Sequence, residues 1–197
     1  MKQNVRLAIF ASGDGSNAEN IIRYFSSNDC DCEVALIVSS RQSAKVVQRA
    51  RSLNIPVAVL SRDELNNQEI TLPLLESYGV TAIILARFLL PIPPFLIHRY
   101  DRRIINIHPA LLPKFGGKGM YGRHVHEAVV AAGEHETGIT IHYVTENYDE
   151  GEIIFQAKIE IGDHPTPEQV AALVHSLEYR HYPAIIEKTF STRENSH

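Results

Sequence analysis

Two polar residues with complementary chemistry, Asn106 and His108, stand two positions apart at the end of an apolar run. The run, residues 103–107, is typical of a buried strand, and side chains alternate along a strand with a period of two, so both residues point the same way. Pro109 ends the strand because proline has no N–H to donate. An amide donor and a titratable imidazole therefore project together from the carboxyl end of a core strand, where open α/β sheets bind their ligands.

A third polar group, Asp149, occurs later in the chain, two residues before Gly151. An Asp in this setting is most often a turn residue, but its carboxylate could also complete a group with Asn106 and His108. Glu178, near the end of the last predicted helix, is by default a solvated surface charge. These alternatives stay open at the level of single residues.

Residues 12–17, Ser-Gly-Asp-Gly-Ser-Asn, form a second candidate site, called here the glycine turn. It joins the first predicted strand to the first predicted helix, and its glycines let backbone N–H groups face an anion at the positive end of that helix. The alternative interpretation is a tight turn in which Ser16 or Asn17 caps the helix. Both can hold, because a capped turn and a phosphate cradle use the same amides.

The glycine turn also fits a dinucleotide-binding fingerprint, Gly-x-Gly-x-x-Ala, through Gly13, Gly15 and Ala18. That fingerprint expects an acidic residue at the end of the second strand, where it holds the ribose. Here Arg41 follows the strand. A nicotinamide-dependent reductase is therefore weakened, although an arginine could suit a 2′-phosphate.

The elements that position these groups alternate between strand and helix in the first half of the chain. We predict strands at 5–11, 34–38, 57–60 and 81–86, and helices at 17–27, 44–53 and 69–78. After a loop and a short helix, the second half contains the strand at 103–107, a glycine-rich loop at 115–123, a helix at 126–132, strands at 138–144 and 152–161, and a helix from Pro167 to about Tyr179. This order predicts an α/β fold: a single-domain, doubly wound, mostly parallel sheet with a Rossmann-like N-terminal half and antiparallel strands in the C-terminal half.

Composition excludes several classes of protein. With 197 residues the chain suits one domain, and its formal net charge of −4 without a Lys/Arg run argues against nucleic acid as a partner. No signal peptide or apolar span indicates a membrane. The two cysteines, Cys30 and Cys32, are expected to be free thiols in a reducing cytoplasm. We expect no metal, because His124 and His126 do not share a helix face and no ligand set has recognisable spacing.

Taken together, four segments resemble the glycinamide ribonucleotide formyltransferases of purine biosynthesis, over nearly the whole chain. They are the glycine turn, Asn106-Ile107-His108-Pro109-Ala110-Leu111-Leu112-Pro113, Gly138-Ile139-Thr140-Ile141-His142-Tyr143-Val144, and Asp149-Glu150-Gly151. Asn-x-His-Pro with a downstream Asp belongs to the wider formyltetrahydrofolate-using superfamily. The serine–glycine–asparagine turn and the single-domain length narrow the resemblance to the ribonucleotide enzymes.

The resemblance implies that the amine of 5′-phosphoribosylglycinamide attacks the formyl carbon of 10-formyltetrahydrofolate, the cosubstrate, without a metal or a covalent enzyme intermediate. It implies that Asn106 and protonated His108 meet the oxyanion of the tetrahedral intermediate, and that Asp149 accepts or relays a proton through water and favours charged His108. Gly15, Ser16 and Asn17 would hold the substrate phosphate through backbone N–H groups. Glu178 matches the family's acidic residue at the ribose hydroxyls.

The folate-facing segment departs from the family pattern. Many members have Ala-Gly-Phe-Met-Arg-Ile-Leu where this chain has residues 86–92, Ala-Arg-Phe-Leu-Leu-Pro-Ile. The family holds the pterin largely by main-chain groups, so we expect the folate contacts at Leu89, Leu90, Pro91, Ile92 and Asn106. Pro91 removes one N–H, and Arg87 adds a cation where glycine is common. The longer loop at 116–123 is interpreted as a mobile cover over the substrates.

In this interpretation residues 1–197 form one formyltransferase domain, with a phosphate- and nucleotide-binding half (1–100), a catalytic and folate-binding half (101–192) and a frayed tail (193–197). Methionyl-tRNA formyltransferases carry an extra tRNA-binding domain that this length and charge do not accommodate. The alternatives are a formyltetrahydrofolate deformylase, which usually begins with a regulatory domain, and a non-catalytic folate- or nucleotide-binding domain. We expect a cytoplasmic enzyme, either a monomer or a homodimer.

Overall fold

Strands and helices alternate through the first half of the chain as the sequence pattern predicts, in a computed structural model that describes residues 4–191. The elements of this half are β1 (Val5–Phe10), α1 (Ser16–Ser27), β2 (Cys32–Ser39), α2 (Lys45–Ser52), β3 (Val57–Val59), α3 (Arg62–Asn66), α4 (Gln68–Ser77), β4 (Ala82–Leu85) and α5 (Pro94–Arg99). The second half contains β5 (Ile104–His108), α6 (Arg123–Ala131), β6 (Glu136–Tyr143), β7 (Ile153–Glu160) and α7 (Pro167–Phe190).

The sheet has seven strands in the order β3-β2-β1-β4-β5-β6-β7. Strand β1 pairs in parallel with β2 and β4, and β2 pairs in parallel with β3. Strands β5 and β6 are antiparallel, as are β6 and β7. The predicted α/β fold, with a mostly parallel sheet and antiparallel C-terminal strands, is therefore confirmed.

Two compact units divide the chain: Met1–Ile104 with Pro183–His197, and Ile105–Tyr182. In the first unit, β4 is buried along its whole length and β1 at all but one position. Parallel strands with helices on both faces lose both surfaces to the core, which explains their continuous apolar runs. In the second unit, β6 is buried except at its ends, whereas β7 alternates between more and less exposed positions.

Three helices differ from the sequence prediction. Helix α7 does not end near Tyr179 but continues through Pro183 to Phe190, although an internal proline costs one helical hydrogen bond. Helix α6 begins at Arg123, so the preceding loop is shorter than expected. The prediction missed α3, whose capping box joins Ser61 and Glu64 through two hydrogen bonds.

The cysteines, the C-terminal tail and the expected absence of a membrane span were also subjects of the sequence analysis. Both cysteines are free, as predicted. The expected frayed tail at 193–197 lies outside the described residues. Within residues 4–191, no helix combines the length and the apolar character needed to cross a membrane.

Candidate active site

Four side chains of the second unit form a continuous polar cluster, defined here as Asn106, His108, His142 and Asp149. Asn106 and His108 leave β5 on one side, as the period of two predicts, and Asn106 is the register partner of His142 on β6. The two histidines are each 2% exposed. The amide Nδ2 of Asn106 lies 3.3 Å from Nε2 of His142.

Asp149 joins the two histidines of the polar cluster. Its Oδ1 lies 3.5 Å from Nε2 of His142, and its Oδ2 lies 3.5 Å from Nδ1 of His108. The structure therefore brings together the three residues that the sequence suggested as a group, and it adds His142 between Asn106 and the carboxylate.

The second ring nitrogen of His108 is already in use. Nε2 lies 2.7 Å from the carbonyl oxygen of Phe115, and a carbonyl can only accept, so this nitrogen carries a proton. Burial lowers the pKa of His108 below its ordinary value, although the charge of Asp149 and the Phe115 carbonyl oppose that shift. Asp149 thus acts in the expected direction, but burial outweighs it and keeps the pKa of His108 below its ordinary value.

Asp149 is held as an anion, and its backbone adopts a conformation that is rare for residues other than glycine. Burial alone would raise its pKa, but the neighbouring His142 and His108 and the N–H of Gly117 outweigh burial and lower it. That N–H donates to Oδ2 over 2.9 Å. The backbone of Asp149 is left-handed, with φ of 57°. The carboxylate is therefore ionised at neutral pH.

Gly151 allows the Asp149 loop to lie against β6. A Cβ at this position would meet the carbonyl oxygen of Tyr143 at 1.7 Å, so only glycine permits the approach. The same carbonyl accepts a hydrogen bond from Nδ1 of His142 over 2.9 Å. Gly151 thus packs on the group that orients the His142 ring.

The loop after His108 is anchored by a buried hydroxyl. Oγ1 of Thr140 donates to the carbonyl of Ala110 over 2.7 Å and accepts from the N–H of Leu112 over 3.0 Å. Nε2 of Gln156 reaches both Oγ1 of Thr140 and the carbonyl of Leu112. The segment that leaves β5 is therefore fixed by side chains of β6 and β7.

In the first unit the glycine turn closes tightly onto helix α1. Gly15 is the N-cap residue, with a left-handed φ of 78°, and a Cβ there would lie 2.6 Å from the Cα of Val46. Only glycine fits both constraints. Ser16 and Asn17 are buried in the first turn of the helix. The expected cap by a Ser16 or Asn17 side chain is wrong, because Gly15 occupies that position.

Asp14 supplies the missing cap. Its Oδ1 accepts hydrogen bonds from the N–H and from the hydroxyl of Ser16, each over 3.1 Å. Burial would raise the pKa of Asp14, but the Ser16 donors and the charges of Arg87 and Arg49 outweigh it and lower the pKa. The carboxylate of Asp14 therefore accepts a hydrogen bond from one of the N–H groups that were predicted to bind phosphate.

Ser12 links the glycine turn to the predicted folate segment, also within the first unit. Its hydroxyl accepts from the N–H of Leu89 over 3.3 Å, and its own N–H donates to the carbonyl of Arg87 over 3.3 Å. Arg87 has a left-handed φ of 59°, which gives a physical reason for the glycine common at this position in the family. Leu89 is 51% exposed and Pro91 is also exposed, so this segment presents apolar surface.

Glu178 is buried, which contradicts its default interpretation as a solvated surface residue. It is 1% exposed, and its Oε2 lies 3.1 Å from Nδ1 of His175 one helical turn away. A buried carboxylate is costly unless it is paired, so this position is specialised.

Sequence reasoning missed His142, Thr140 and Gln156. The alternation along residues 138–144 placed His142 and Thr140 on one face of a strand, but their partners depend on the register with β5 and β7. Within residues 4–191, no group of three or more His, Cys, Asp or Glu side chains is arranged to hold a metal ion.

An amide donor, an imidazole and a carboxylate around one point are the groups that an acyl transfer requires. Residues 5–186 match the formyl transferase family, and the chain belongs to that family of enzymes. Phosphoribosylglycinamide formyltransferase of Arabidopsis thaliana chloroplasts is 39% identical over 96% of this chain and 68% of that protein. The enzyme of the same name from Bacillus subtilis is 36% identical over 93% of each chain. The crystal structure of phosphoribosylglycinamide formyltransferase from Bacillus halodurans has a TM-score of 0.86 at 37% identity and covers 97% of this chain and 98% of its own.

A formyltetrahydrofolate deformylase from Pseudomonas syringae is a more distant neighbour. It has a TM-score of 0.81 at 23% identity, and this chain covers 61% of it. That likeness shows the fold alone.

Proposed function

We propose that this chain is a phosphoribosylglycinamide formyltransferase, which transfers the formyl group of 10-formyltetrahydrofolate to the amine of 5′-phosphoribosylglycinamide in purine biosynthesis. Relatives with this activity in their names cover almost the whole chain at 36–39% identity. The observation that carries the mechanism is the pair of 3.5 Å contacts by which the two oxygens of Asp149 meet His108 and His142.

The polar cluster performs the chemical step in this proposal. The Asn106 amide and the Nε2–H of His108 donate to the formyl oxygen as it becomes an oxyanion. Asp149, ionised at neutral pH, accepts through water the proton that the attacking amine loses. The tetrahedral intermediate then collapses as the bond between the formyl carbon and the folate nitrogen breaks, and Asp149 returns the same proton through water to that leaving nitrogen. Because the Phe115 carbonyl holds Nε2–H in the free protein, substrate must displace that carbonyl before the donor can act.

In this proposal residues outside the polar cluster bind the ribonucleotide substrate. The N–H groups of Gly15, Ser16 and Asn17 hold the phosphate, since the positive end of helix α1 favours an anion. The buried carboxylate of Glu178 accepts hydrogen bonds from the ribose hydroxyls. His175 keeps that carboxylate in place.

The folate binds at residues 89–92 and at Asn106. The exposed apolar side chain of Leu89 offers surface to the pterin and its neighbouring ring. Pro91 lacks an N–H, so the main-chain contacts at this segment use the groups of Leu90 and Ile92. No metal takes part.

Spectroscopic detection of tetrahydrofolate release tests the proposal. Purified protein is mixed with 10-formyltetrahydrofolate, with and without 5′-phosphoribosylglycinamide, and the formylated ribonucleotide is measured by mass spectrometry. We expect release only with the ribonucleotide, matched mole for mole by formylated product. Release without the ribonucleotide would instead identify a deformylase. Folate binding without release under either condition would identify a non-catalytic binding domain.

We propose further that the enzyme works in the cytoplasm as a monomer or homodimer, as one domain with a phosphate-binding N-terminal half and a catalytic C-terminal half. The two free cysteines support a reducing compartment. Light scattering of the purified protein measures the oligomeric state, and an assembly larger than a dimer contradicts this part of the proposal.

A further inference from the structure

Ser12, in the glycine turn, is a buried polar residue to which the proposed mechanism assigns no role. It is 1% exposed, and its polar groups all meet partners within the first unit. Its N–H donates to the carbonyl of Arg87 over 3.3 Å, and its carbonyl accepts from Nη2 of Arg41 over 3.1 Å. Its hydroxyl oxygen lies 2.9 Å from that of Ser40. These contacts hold the serine in one orientation.

The hydroxyl of Ser12 also accepts a hydrogen bond from the N–H of Leu89. The hydroxyl oxygen and the amide nitrogen lie 3.3 Å apart, and a backbone N–H can only donate, so the direction of this bond is settled. Leu89 is the first residue of the proposed folate segment, residues 89–92, and it is 51% exposed. Leu89 is thus half in solvent, while its N–H points inward to the glycine turn.

The folate segment lies between two regular elements and belongs to neither. Strand β4 ends at Leu85 and helix α5 begins at Pro94. Pro91 restricts its own φ and favours an extended residue before it, which stiffens the middle of the segment. A stiff segment still needs an anchored start, and the hydrogen bond from Leu89 to Ser12 provides one.

The N–H groups of the folate segment differ in what they can bind. The N–H of Leu89 donates to Ser12, and Pro91 has no N–H. Leu90 and Ile92 therefore carry the two N–H groups that the segment can offer to a pterin. Peptide groups are planar, so fixing the N–H of Leu89 fixes its whole peptide and limits the directions open to the next one.

We propose that Ser12 is a positioning residue for the folate cosubstrate: its hydroxyl anchors the N–H of Leu89 and thereby aims the main-chain groups of Leu90 and Ile92 at the pterin. The inference rests on the proposed function, which places the folate at this segment. Ser12 contacts neither substrate itself. The glycine turn thus has two tasks, since its backbone binds the phosphate and its first side chain orders the folate segment.

Two substitutions of serine separate the anchor from packing. Ser12→Ala removes the acceptor of the Leu89 N–H, whereas Ser40→Ala removes the neighbouring hydroxyl and leaves that acceptor in place. We expect Ser12→Ala to weaken the binding of tetrahydrofolate, measured by calorimetry, roughly 10-fold, the size of effect that loss of one ordering hydrogen bond can have. Its KM for 10-formyltetrahydrofolate should rise similarly, with kcat and the KM for the ribonucleotide within a factor of about three, because the anchor acts on folate binding and not in the transition state. Ser40→Ala should bind tetrahydrofolate almost as the native protein does.

The amide of Leu89 gives a readout that does not depend on activity. Hydrogen exchange is followed by NMR in protein labelled with ¹⁵N-leucine, and the resonance is assigned through Leu89→Met. We expect this N–H to be protected in the native protein and in Ser40→Ala, and to exchange at least about 10-fold faster in Ser12→Ala. An unprotected amide in the native protein would overturn the inference, as would native affinity for tetrahydrofolate in Ser12→Ala.

Failure of the inference and failure of the proposed function give different results. A native protein that binds tetrahydrofolate but formylates no ribonucleotide refutes the proposed function alone, and the two serine variants still decide the role of Ser12. A native protein that formylates the ribonucleotide while Ser12→Ala keeps its folate affinity refutes the inference alone. A native protein that does not bind tetrahydrofolate refutes both.

Discussion

The glycine turn and the polar cluster are both polar sites, but one consists of backbone groups and the other of side-chain groups. In the glycine turn the binding groups are backbone amides, placed by Gly15 and by the start of helix α1. In the polar cluster they are side chains from β5, β6 and a later loop. A site made of backbone is specified by a few neighbouring residues, whereas a site made of side chains requires that distant segments meet in one register.

The two regions share one property in the free protein: each keeps its own donors occupied. Asp14 accepts from the N–H of Ser16, and the carbonyl of Phe115 accepts from Nε2 of His108. A buried donor without a partner is costly, so the protein supplies a partner that substrate must replace. The two regions differ in the acceptor that substrate must replace. In the glycine turn it is the charged side chain of Asp14, and in the polar cluster it is the neutral carbonyl of Phe115.

The largest expected effect is a loss of kcat when residues of the polar cluster are replaced, which distinguishes this cluster from the glycine turn. His108→Ala and Asp149→Ala should each lower kcat at least about 100-fold, because each removes a group that acts in the transition state. The KM for the ribonucleotide should change little. Steady-state kinetics with both substrates measures this, and native turnover in either variant would show that the role assigned to that residue is wrong.

A change in the glycine turn should act on binding and stability instead. In Gly15→Ala the new Cβ would lie 2.6 Å from the Cα of Val46, which is backbone and cannot move aside alone. We expect the free energy of unfolding to fall by about 1–3 kcal/mol and the KM for the ribonucleotide to rise, with kcat nearly unchanged.

Gly13→Ala is the matched control for that substitution, because a Cβ at Gly13 meets no heavy atom within 4 Å. Denaturant unfolding and steady-state kinetics on both variants make the comparison. Equal effects of the two substitutions would mean that the tight approach to Val46 does not shape the turn.

Two threonines on β6 test how the cluster is supported. Oγ1 of Thr140 has three hydrogen-bond partners, whereas Oγ1 of Thr137, which is 2% exposed, has none among residues 4–191. Thr140→Val should cost about 1–3 kcal/mol in the free energy of unfolding, since it leaves the N–H of Leu112 and the carbonyl of Ala110 without that partner. Thr137→Val, the same change on the same strand, should cost close to zero. Similar losses would show that packing and not the hydrogen bonds anchors the loop after His108.

The contrast between the regions also explains what could be predicted from sequence. Strand and helix order, and the shared direction of Asn106 and His108, follow from local periodicity, and they are confirmed. The contact between Asn106 and His142 follows from the pairing of β5 with β6, which no local pattern specifies. Burial of Glu178 was hidden for the same reason, because a helix position does not reveal what covers it. Even in the glycine turn, the cap by Asp14 was missed, since a side chain two residues before the helix can point either way.

Replacing Asp14 should have a smaller effect on the glycine turn, and it should lower the KM for the ribonucleotide where Gly15→Ala raises it. Its carboxylate competes with a phosphate for the N–H of Ser16 and repels it. Asp14→Asn keeps an acceptor for Ser16 but removes the charge, and we expect the KM for the ribonucleotide to fall roughly fivefold, about the worth of one charge at short range in a solvated setting. The effect should shrink at high salt. An unchanged or higher KM in the variant would show that Asp14 does not oppose phosphate binding.

The smallest effect is a dependence of stability on pH that arises in the cluster. Burial lowers the pKa of His108, so the folded protein binds this proton more weakly than the unfolded chain does. Below the ordinary histidine pKa of 6.5 the unfolded state takes up a proton that the folded state resists, so the free energy of unfolding should decrease as pH falls from 7.5 toward 5.5. The lowered pKa of Asp149 adds stability that is constant across this range and is lost only as pH falls below about 3.8, the ordinary value for this group. Denaturant unfolding across the range should give a shallower slope for His108→Gln, which cannot titrate. A steeper slope in that variant would mean that charged His108 is the folded form, and that attraction to Asp149 exceeds the cost of burial.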